Sequence, residues 1–349
     1  SLKIVHRDIK PQNVLIAKGR NNAKVGSAAS ALLHSPHNGH KSHPRALLSD
    51  FGLCKRLEHD QSSFNNMTHA AASVGAAGTI GWRAPECLLA LGSGQQIVLG
   101  GDSRSSLPTS DDVPQGSGRS GARITKAIDI FSAGCLFYYV LSGGEHPFGE
   151  RYERESNILK NLYDLGKLEL LGPEGLEARD LVERMISADP KLRPTAPEIL
   201  AHPYFWSPAK RLAFLMDCSD RFEVECRDPP SPLLAALESR AHRVFGPGEN
   251  WQRRLDRPFV ESLGKYRKYD FRSIRDLLRA LRNKRHHYQD APDALKRLFG
   301  PTAETFLAYF RSKFPNLFIH VYGVVRSDPK VRQEHLFRPY FENPTNRSG

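Results

Sequence analysis

No stretch of this 349-residue sequence approaches the ~20 apolar residues that a bilayer crossing needs; the longest strongly apolar run is roughly Ala133 to Leu141. The N-terminus lacks the charged-then-apolar order of a secretory signal, so the chain as given is expected to be soluble. Cysteine is scarce. Cys54, Cys87, Cys135, Cys218 and Cys226 are odd in number, scattered and without a C-x-x-C pair. That argues against a disulfide framework and a thiolate zinc site and fits a reducing, cytosolic environment. With 40% hydrophobic and 25% charged residues the composition is that of an ordinary globular protein, which excludes a chain dominated by disorder. Its length exceeds one average domain, so two domains, each burying its own core, are expected.

Positive charge is present in excess, and it is unevenly placed. Residues 1–206 hold 23 Lys and Arg against 21 Asp and Glu, a net of +2; residues 207–349 hold 27 against 17, a net of +10, which together make the +12 of the whole chain. Twenty of those 27 cations are Arg, whose planar fork binds phosphate in a bidentate way. A polyanion such as RNA is therefore a candidate partner, and a merely solvated basic surface is equally compatible with the charge alone.

Two segments read as surface insertions without a sustained apolar period: 18–46, rich in Lys, Asn, Ala, Ser, Gly and His, and 92–122, rich in Ser, Gly, Pro and Asp. In the first, His34, His37, His40 and His43 recur at every third residue, a spacing open to a transition metal or to a chance polar repeat. The stretch IDIFSAGCLFYYVLSGG predicts a buried helix with a glycine stop. In GLEARDLVERMIS, Leu176, Leu181, Val182, Met185 and Ile186 share one helical face. After Pro208 the text becomes Arg-rich and helical, broken at Pro229-Pro230, Pro247 and Pro301, which places a domain boundary near 206–210.

His6-Arg7-Asp8-Ile9-Lys10-Pro11-Gln12-Asn13 has the spacing H-R-D-x-x-x-x-N, followed by Asp50-Phe51-Gly52 and Ala84-Pro85-Glu86. Phosphoryl transfer needs a carboxylate to orient the attacking hydroxyl, a cation by the transferring phosphate, and oxygen ligands for magnesium. Asp8, Lys10, and the pair Asn13 and Asp50 have the chemistry for those roles. The three motifs in this order resemble a protein kinase. Lys10, two residues after the catalytic Asp, is the serine/threonine form of the loop that this resemblance implies. The implied fold is a kinase C-terminal lobe. The Gly-rich loop, strand lysine and helix glutamate that complete the nucleotide site ordinarily lie before His6, only five residues into this chain. The N-terminal lobe is thus expected to be missing and the isolated polypeptide to have negligible kinase activity. Ser62, Ser63 and Thr68 lie between Asp50 and Glu86; the resemblance marks Ser62 and Ser63 as autophosphorylation sites, where phosphate can pair with Arg7.

Ser273 to Tyr288, SIRDLLRALRNKRHHY, opens like a capping box with Ser273 and Asp276 and repeats Ile274, Leu277, Leu278 and Leu281 at helical spacing. Arg275, Arg279 and Arg282 lie off that stripe and are expected to present guanidinium groups on the exposed side. A generic surface helix with snorkelling Arg has the same periodicity.

DLLRALRNKRHHY, preceded by Tyr269 of KYRKYDF and followed by FPNLFIHVY, resembles the ribonuclease domain that follows the kinase in the inositol-requiring stress sensors of the endoplasmic reticulum, and more distantly ribonuclease L. The likeness takes in DFGLCK and GWRAPE and covers most of 1–16, 47–90 and 124–341. It implies a mainly α chain: a kinase C-lobe over 1–206, an all-α kinase-extension ribonuclease domain over 207–342, and a tail at 343–349. It implies ATP and magnesium for the kinase half and no cofactor for the ribonuclease. Other implied properties are a stem-loop RNA substrate in a transcription-factor messenger, self-association into dimers or oligomers, and a parent protein on the cytosolic side of the endoplasmic reticulum, with no membrane contact by this chain.

The resemblance also makes Tyr269, Arg282, Asn283 and His287 the nuclease site, and assigns the histidine role to His287 rather than His286. RNA cleavage through its own 2′-hydroxyl needs a base, an acid for the 5′-oxygen and positive charge on the phosphorane-like transition state. Histidine suits the acid near neutral pH, and tyrosine is a poor base unless cations such as Lys268 or Arg282 favour its phenolate. Arg282 suits the phosphate and Asn283 the scissile nucleotide. Two other readings of the chain are a pseudokinase-like scaffold whose basic half binds RNA or protein without cutting it, and an ordinary kinase with a basic extension.

Overall fold

The computed structural model describes residues 4–17, 44–56, 78–92 and 125–342, apart from 249 and 265–267. Ser62, Ser63, Thr68 and the histidines at 34, 37, 40 and 43 lie outside the described residues. The described strands are β1 (Ile4–Val5), β2 (Val14–Ala17), β3 (Arg45–Leu48) and β4 (Lys55–Arg56). They form two antiparallel ribbons, β1 with β4 and β2 with β3, the latter pairing Val14 with Leu48 and Ala17 with Arg45.

Helices make up most of the rest. The first five are α1 (Pro85–Gly92), α2 (Ala127–Leu141), α3 (Arg154–Leu159), α4 (Pro173–Met185) and α5 (Ala196–Leu200). Ten more follow: α6 (Pro208–Glu223), α7 (Pro232–Glu238), α8 (Ala241–Phe245), α9 (Arg257–Glu261), α10 (Ile274–His286), α11 (Asp293–Phe299), α12 (Ala303–Lys313), α13 (Leu317–Ser327), α14 (Pro329–Gln333) and α15 (Arg338–Phe341). The mainly α architecture expected from the sequence is present. Among the described residues no helix is long and apolar enough to cross a membrane.

The described chain divides into two compact units: 4–168 together with 181–196, and 169–180 together with 197–342. In the first unit α2 is the central buried helix, with Phe131, Cys135 and Tyr138 inside. Gly134 lies within it at a real cost in helix propensity. A Cβ there would come within 2.8 Å of both Met185 and Ile186, so only glycine lets the two segments approach. The helix stops where Gly143 and Gly144 take φ of 79° and 115°. Leu181, Val182, Met185 and Ile186 are buried as their spacing predicts, while Leu176 is only partly so.

His146 sits in this core. Its Nδ1 accepts from the Phe148 amide at 3.2 Å, and its ring meets Trp82 edge-on at 4.8 Å. Burial, helped by nearby Arg154, pushes its pKa down to about 3. The folded imidazole therefore stays neutral where the unfolded one takes a proton. Stability is expected to fall as pH drops below ~6.5, by about 1.4 kcal/mol per unit, until the folded pKa is reached. Urea denaturation of the chain at pH 7, 6 and 5 should show this slope, reduced in His146→Gln; an equal slope in the variant would remove His146 as its source.

The second unit is built on one continuous apolar cluster running from Trp206 to Tyr340. Ser207 caps α6, accepting from the Lys210 amide, and Pro208 occupies its first turn. Phe214 of α6 is fully buried against Trp206, Phe318 and Tyr340. Glu177, from α4, is also buried and ties Arg211 of α6 at 3.0 Å to Arg311 of α12 at 3.1 Å, which fastens residues 169–180 into this unit. Helix α10 packs along α6 with Ile274, Leu277, Leu278 and Leu281 inaccessible to solvent.

Candidate active sites

The first site forms where the backbone of His6 and Arg7 docks on α2. Their amides donate to Asp129 Oδ2 and Oδ1 at 2.6 and 2.8 Å, with Arg7 in a left-handed conformation at φ 70°. That turn delivers Asp8 into a buried set of donors. Lys10 Nζ reaches Asp8 Oδ2 at 2.8 Å, Asn13 Nδ2 reaches the same oxygen at 3.0 Å, and Thr79 Oγ1 donates to Asp8 Oδ1 at 2.7 Å. Burial alone would raise the Asp8 carboxyl; the bonds from Lys10, Thr79 and Asn13 outweigh it and hold Asp8 below its ordinary value.

Lys10 also donates to Thr79 Oγ1 at 2.6 Å, closing a ring of three side chains. Thr79 carries no motif signal of its own and is found only through these contacts, across 71 positions to Asp8 and 69 to Lys10. Asp50 is exposed and left-handed, φ 62°, its carboxylate accepting from the Gly52 amide. It is tied to the others through its neighbour: Ser49 donates from N and Oγ to the Asn13 carbonyl at 2.8 and 3.0 Å. The structure thus brings Asp8, Lys10 and Asn13 together and joins Asp50 through the backbone. The Asn13 amide and the Asp50 carboxylate offer hard oxygen donors, the chemistry that suits magnesium.

The second site lies on α10 in the other unit. Ser273 accepts from the Asp276 amide at 3.2 Å, the first half of the expected capping box. The second half is absent, because the Asp276 carboxylate is engaged by the Asp270 amide at 2.7 Å. Instead Glu238 at the end of α7 caps the helix, accepting from Ser273 Oγ at 2.7 Å and from the amides of Ile274 and Arg275 at 2.7 and 3.1 Å. A carboxylate at a helix N-terminus satisfies orphan donors and complements the macrodipole.

Tyr269 and Asn283 meet: Asn283 Nδ2 donates to the phenol oxygen at 3.2 Å. Arg282, on the same turn, is held by Asp220 of α6, and His287 stands exposed at the C-cap, its amide bonded to Asn283 O at 3.0 Å. His286 is exposed beside it.

The expectation that Arg275, Arg279 and Arg282 present their guanidinium groups to solvent does not hold. Arg275 is buried beside Asp276, Arg279 pairs with Glu223 and Asp276, and Arg282 pairs with Asp220. Two carboxylates of α6, Asp220 and Glu223, face this side of α10 and draw Arg282 and Arg279 inward, where pairing offsets desolvation, while Arg275 has its acidic neighbour, Asp276, on α10 itself. The basic residues of the last turn of α10 are Lys284, Arg285 and His286, with His287 following at the C-cap. There Lys284 also donates to the Ser262 carbonyl, and Arg285 lies 5.8 Å over the Tyr288 ring.

Comparison with known proteins finds both kinds of domain. A family model for the protein kinase domain matches residues 1–99 and 119–205, and one described as ribonuclease 2-5A matches residues 211–341. The chain is 45% identical over 342 residues to the sensor for unfolded proteins in the ER of Schizosaccharomyces pombe, covering 98% of this chain and 28% of that protein. It is 47% identical to a serine/threonine-protein kinase/endoribonuclease of Hypocrea jecorina and 40% identical to one of Homo sapiens. Each comparison takes in 98% of this chain, with 25% and 30% of the respective relative. The chain therefore spans about a quarter to a third of the length of these relatives.

Proposed function

The chain belongs to the family of serine/threonine-protein kinase/endoribonucleases, and on that premise we propose that residues 1–206 act as the C-lobe of a serine/threonine kinase and residues 207–342 as a metal-independent endoribonuclease for stem-loop RNA. Protein kinase domains use ATP and magnesium in general. In this chain Asp8 would orient the hydroxyl that is phosphorylated, Lys10 would lie by the transferring phosphate, and Asn13 and Asp50 would hold the metal that draws charge from the phosphate oxygens. Ser62 and Ser63 are the proposed modified residues. The self-associated form is the proposed active state, and signalling of unfolded proteins at the endoplasmic reticulum is the proposed setting of the whole protein.

The observation that carries the nuclease reading is the hydrogen bond from Asn283 of α10 to Tyr269, beside Arg282 on the same helix and His287 at its C-cap. Tyr269 removes the 2′-proton, His287 protonates the 5′-oxygen, and Asn283 orients the nucleotide. Arg282 takes the scissile phosphate by exchanging Asp220 for it, a swap of one anionic partner for another. Incubation of the chain with an end-labelled RNA stem-loop in EDTA should yield a 2′,3′-cyclic phosphate and a 5′-hydroxyl. A 5′-phosphate product would overturn the mechanism, and binding without cutting would favour the scaffold reading.

A further inference from the structure

Helix α10 does more with Tyr269 than bond its hydroxyl. Asp276, Arg279 and Asn283 occupy i, i+3 and i+7, one side of the helix over two turns. Arg279 Nη2 donates to the Lys268 carbonyl at 2.8 Å, and Asp276 Oδ2 accepts from the Asp270 amide at 2.7 Å. Those are the peptide groups on either side of Tyr269. The two gripping side chains are themselves joined, Arg279 Nη2 to Asp276 Oδ2 at 3.3 Å, and Glu223 of α6 lies 3.5 Å from Arg279 Nη1. The guanidinium stacks over the Tyr269 ring, its central carbon 4.7 Å from the centroid. Trp251 completes the enclosure, edge-on to the ring at 6.1 Å, with its indole N–H on the Asp270 carbonyl at 3.2 Å.

We infer that Arg279, acting with Asp276, is a positioning residue of the nuclease site. It clamps the backbone on both sides of Tyr269 and presses the ring into the one orientation that brings the phenol to Asn283. Tyr269 precedes α10 and has no helix of its own, so without the clamp its backbone and χ1 are unconstrained by regular structure. A group that must meet a 2′-hydroxyl gains most from being held on a rigid element. Arg suits the task where Lys does not. A planar fork can reach the Lys268 carbonyl, Asp276 and Glu223 at once while its face lies on the aromatic ring.

The inference rests on the reading of Tyr269 as a nuclease residue, and the test separates the two. Arg279→Gln and Arg279→Lys are made in the full chain with Tyr269 intact and with Tyr269→Phe, and kcat and KM are measured on a labelled RNA stem-loop. With Tyr269 intact, Arg279→Gln is expected to lower kcat about 10- to 100-fold, the order of loss that a displacement of ~1 Å brings, with KM within about two-fold. Arg279→Lys, which keeps the charge but not the fork, should restore little of it. In the Tyr269→Phe background either change should cost almost nothing further, because its only route to the reaction is gone.

Equal losses in both backgrounds would overturn the positioning role. Tyr269→Phe cleaving like the unmodified chain would overturn the premise instead. Hydrogen exchange decides the clamp without any cleavage. In Arg279→Gln the Asp270 amide should exchange at least about ten-fold faster, while the Leu277 to Leu281 amides, which report global unfolding, stay protected; an unchanged Asp270 amide would sink the clamp.

Discussion

Replacing His287 by alanine is expected to lower RNA cleavage by about two to four powers of ten, the usual range for removing a general acid. The side chain is exposed, and the backbone at this C-cap, φ −97° and ψ 25°, is open to alanine, so the fold should be untouched. The loss should fall on kcat, since in the proposed mechanism the proton is delivered only as the 5′-oxygen departs. Added imidazole should recover part of the rate. The neighbouring His286→Ala is the control, also exposed and expected to remain within a few-fold of the unmodified chain. Single-turnover cleavage of a labelled stem-loop decides it; if His286→Ala suffers and His287→Ala does not, the assignment of the two histidines is reversed.

Arg193→Ala is expected to cost about 3–5 kcal/mol of stability in the first unit, the range for breaking a buried ion pair from one side. The Arg193 side chain is wholly inaccessible, and its fork meets Glu86 at 2.7 and 2.8 Å. Its remaining donors serve backbone carbonyls: Nε donates to Ser187, and the two Nη groups also reach Ala127 and Ala188. The guanidinium lies 5.1 Å over the Phe131 ring. Removing it leaves a buried carboxylate and three carbonyls without their donor. The double replacement Arg193→Met with Glu86→Gln removes both charges and should be less destabilising than Arg193→Ala alone. Urea unfolding of the three chains measures both differences, and a loss below about 1 kcal/mol for Arg193→Ala would show that the pair contributes little here.

Local spacing carried a great deal. The stripe Ile274, Leu277, Leu278 and Leu281 is legible because a buried helix face repeats every three to four residues, and all four are inaccessible in the fold. The glycine stop after α2 is legible for the same kind of reason, since only glycine takes φ of 79° and 115° without strain. The order of the three kinase-like motifs pointed to one site, and Asp8, Lys10 and Asn13 do share hydrogen bonds.

The contacts that set the electrostatics of α10 join residues far apart in the chain. Glu238 caps α10 from 35 positions before Ser273, and Asp220 holds Arg282 from 62 positions away. No period within the helix records which carboxylates will face it, so its arginines looked free in the sequence and are paired in the fold. From sequence alone follow the helical periods and the residue types that can do the chemistry, because these depend on neighbours within a few turns, and the two kinds of domain follow from the resemblance that the ordered motifs carry. Which of those residues are paired, how the phenol of Tyr269 is held, and where cationic surface remains were decided by tertiary packing, because a charge is either exposed or compensated only by what is folded against it.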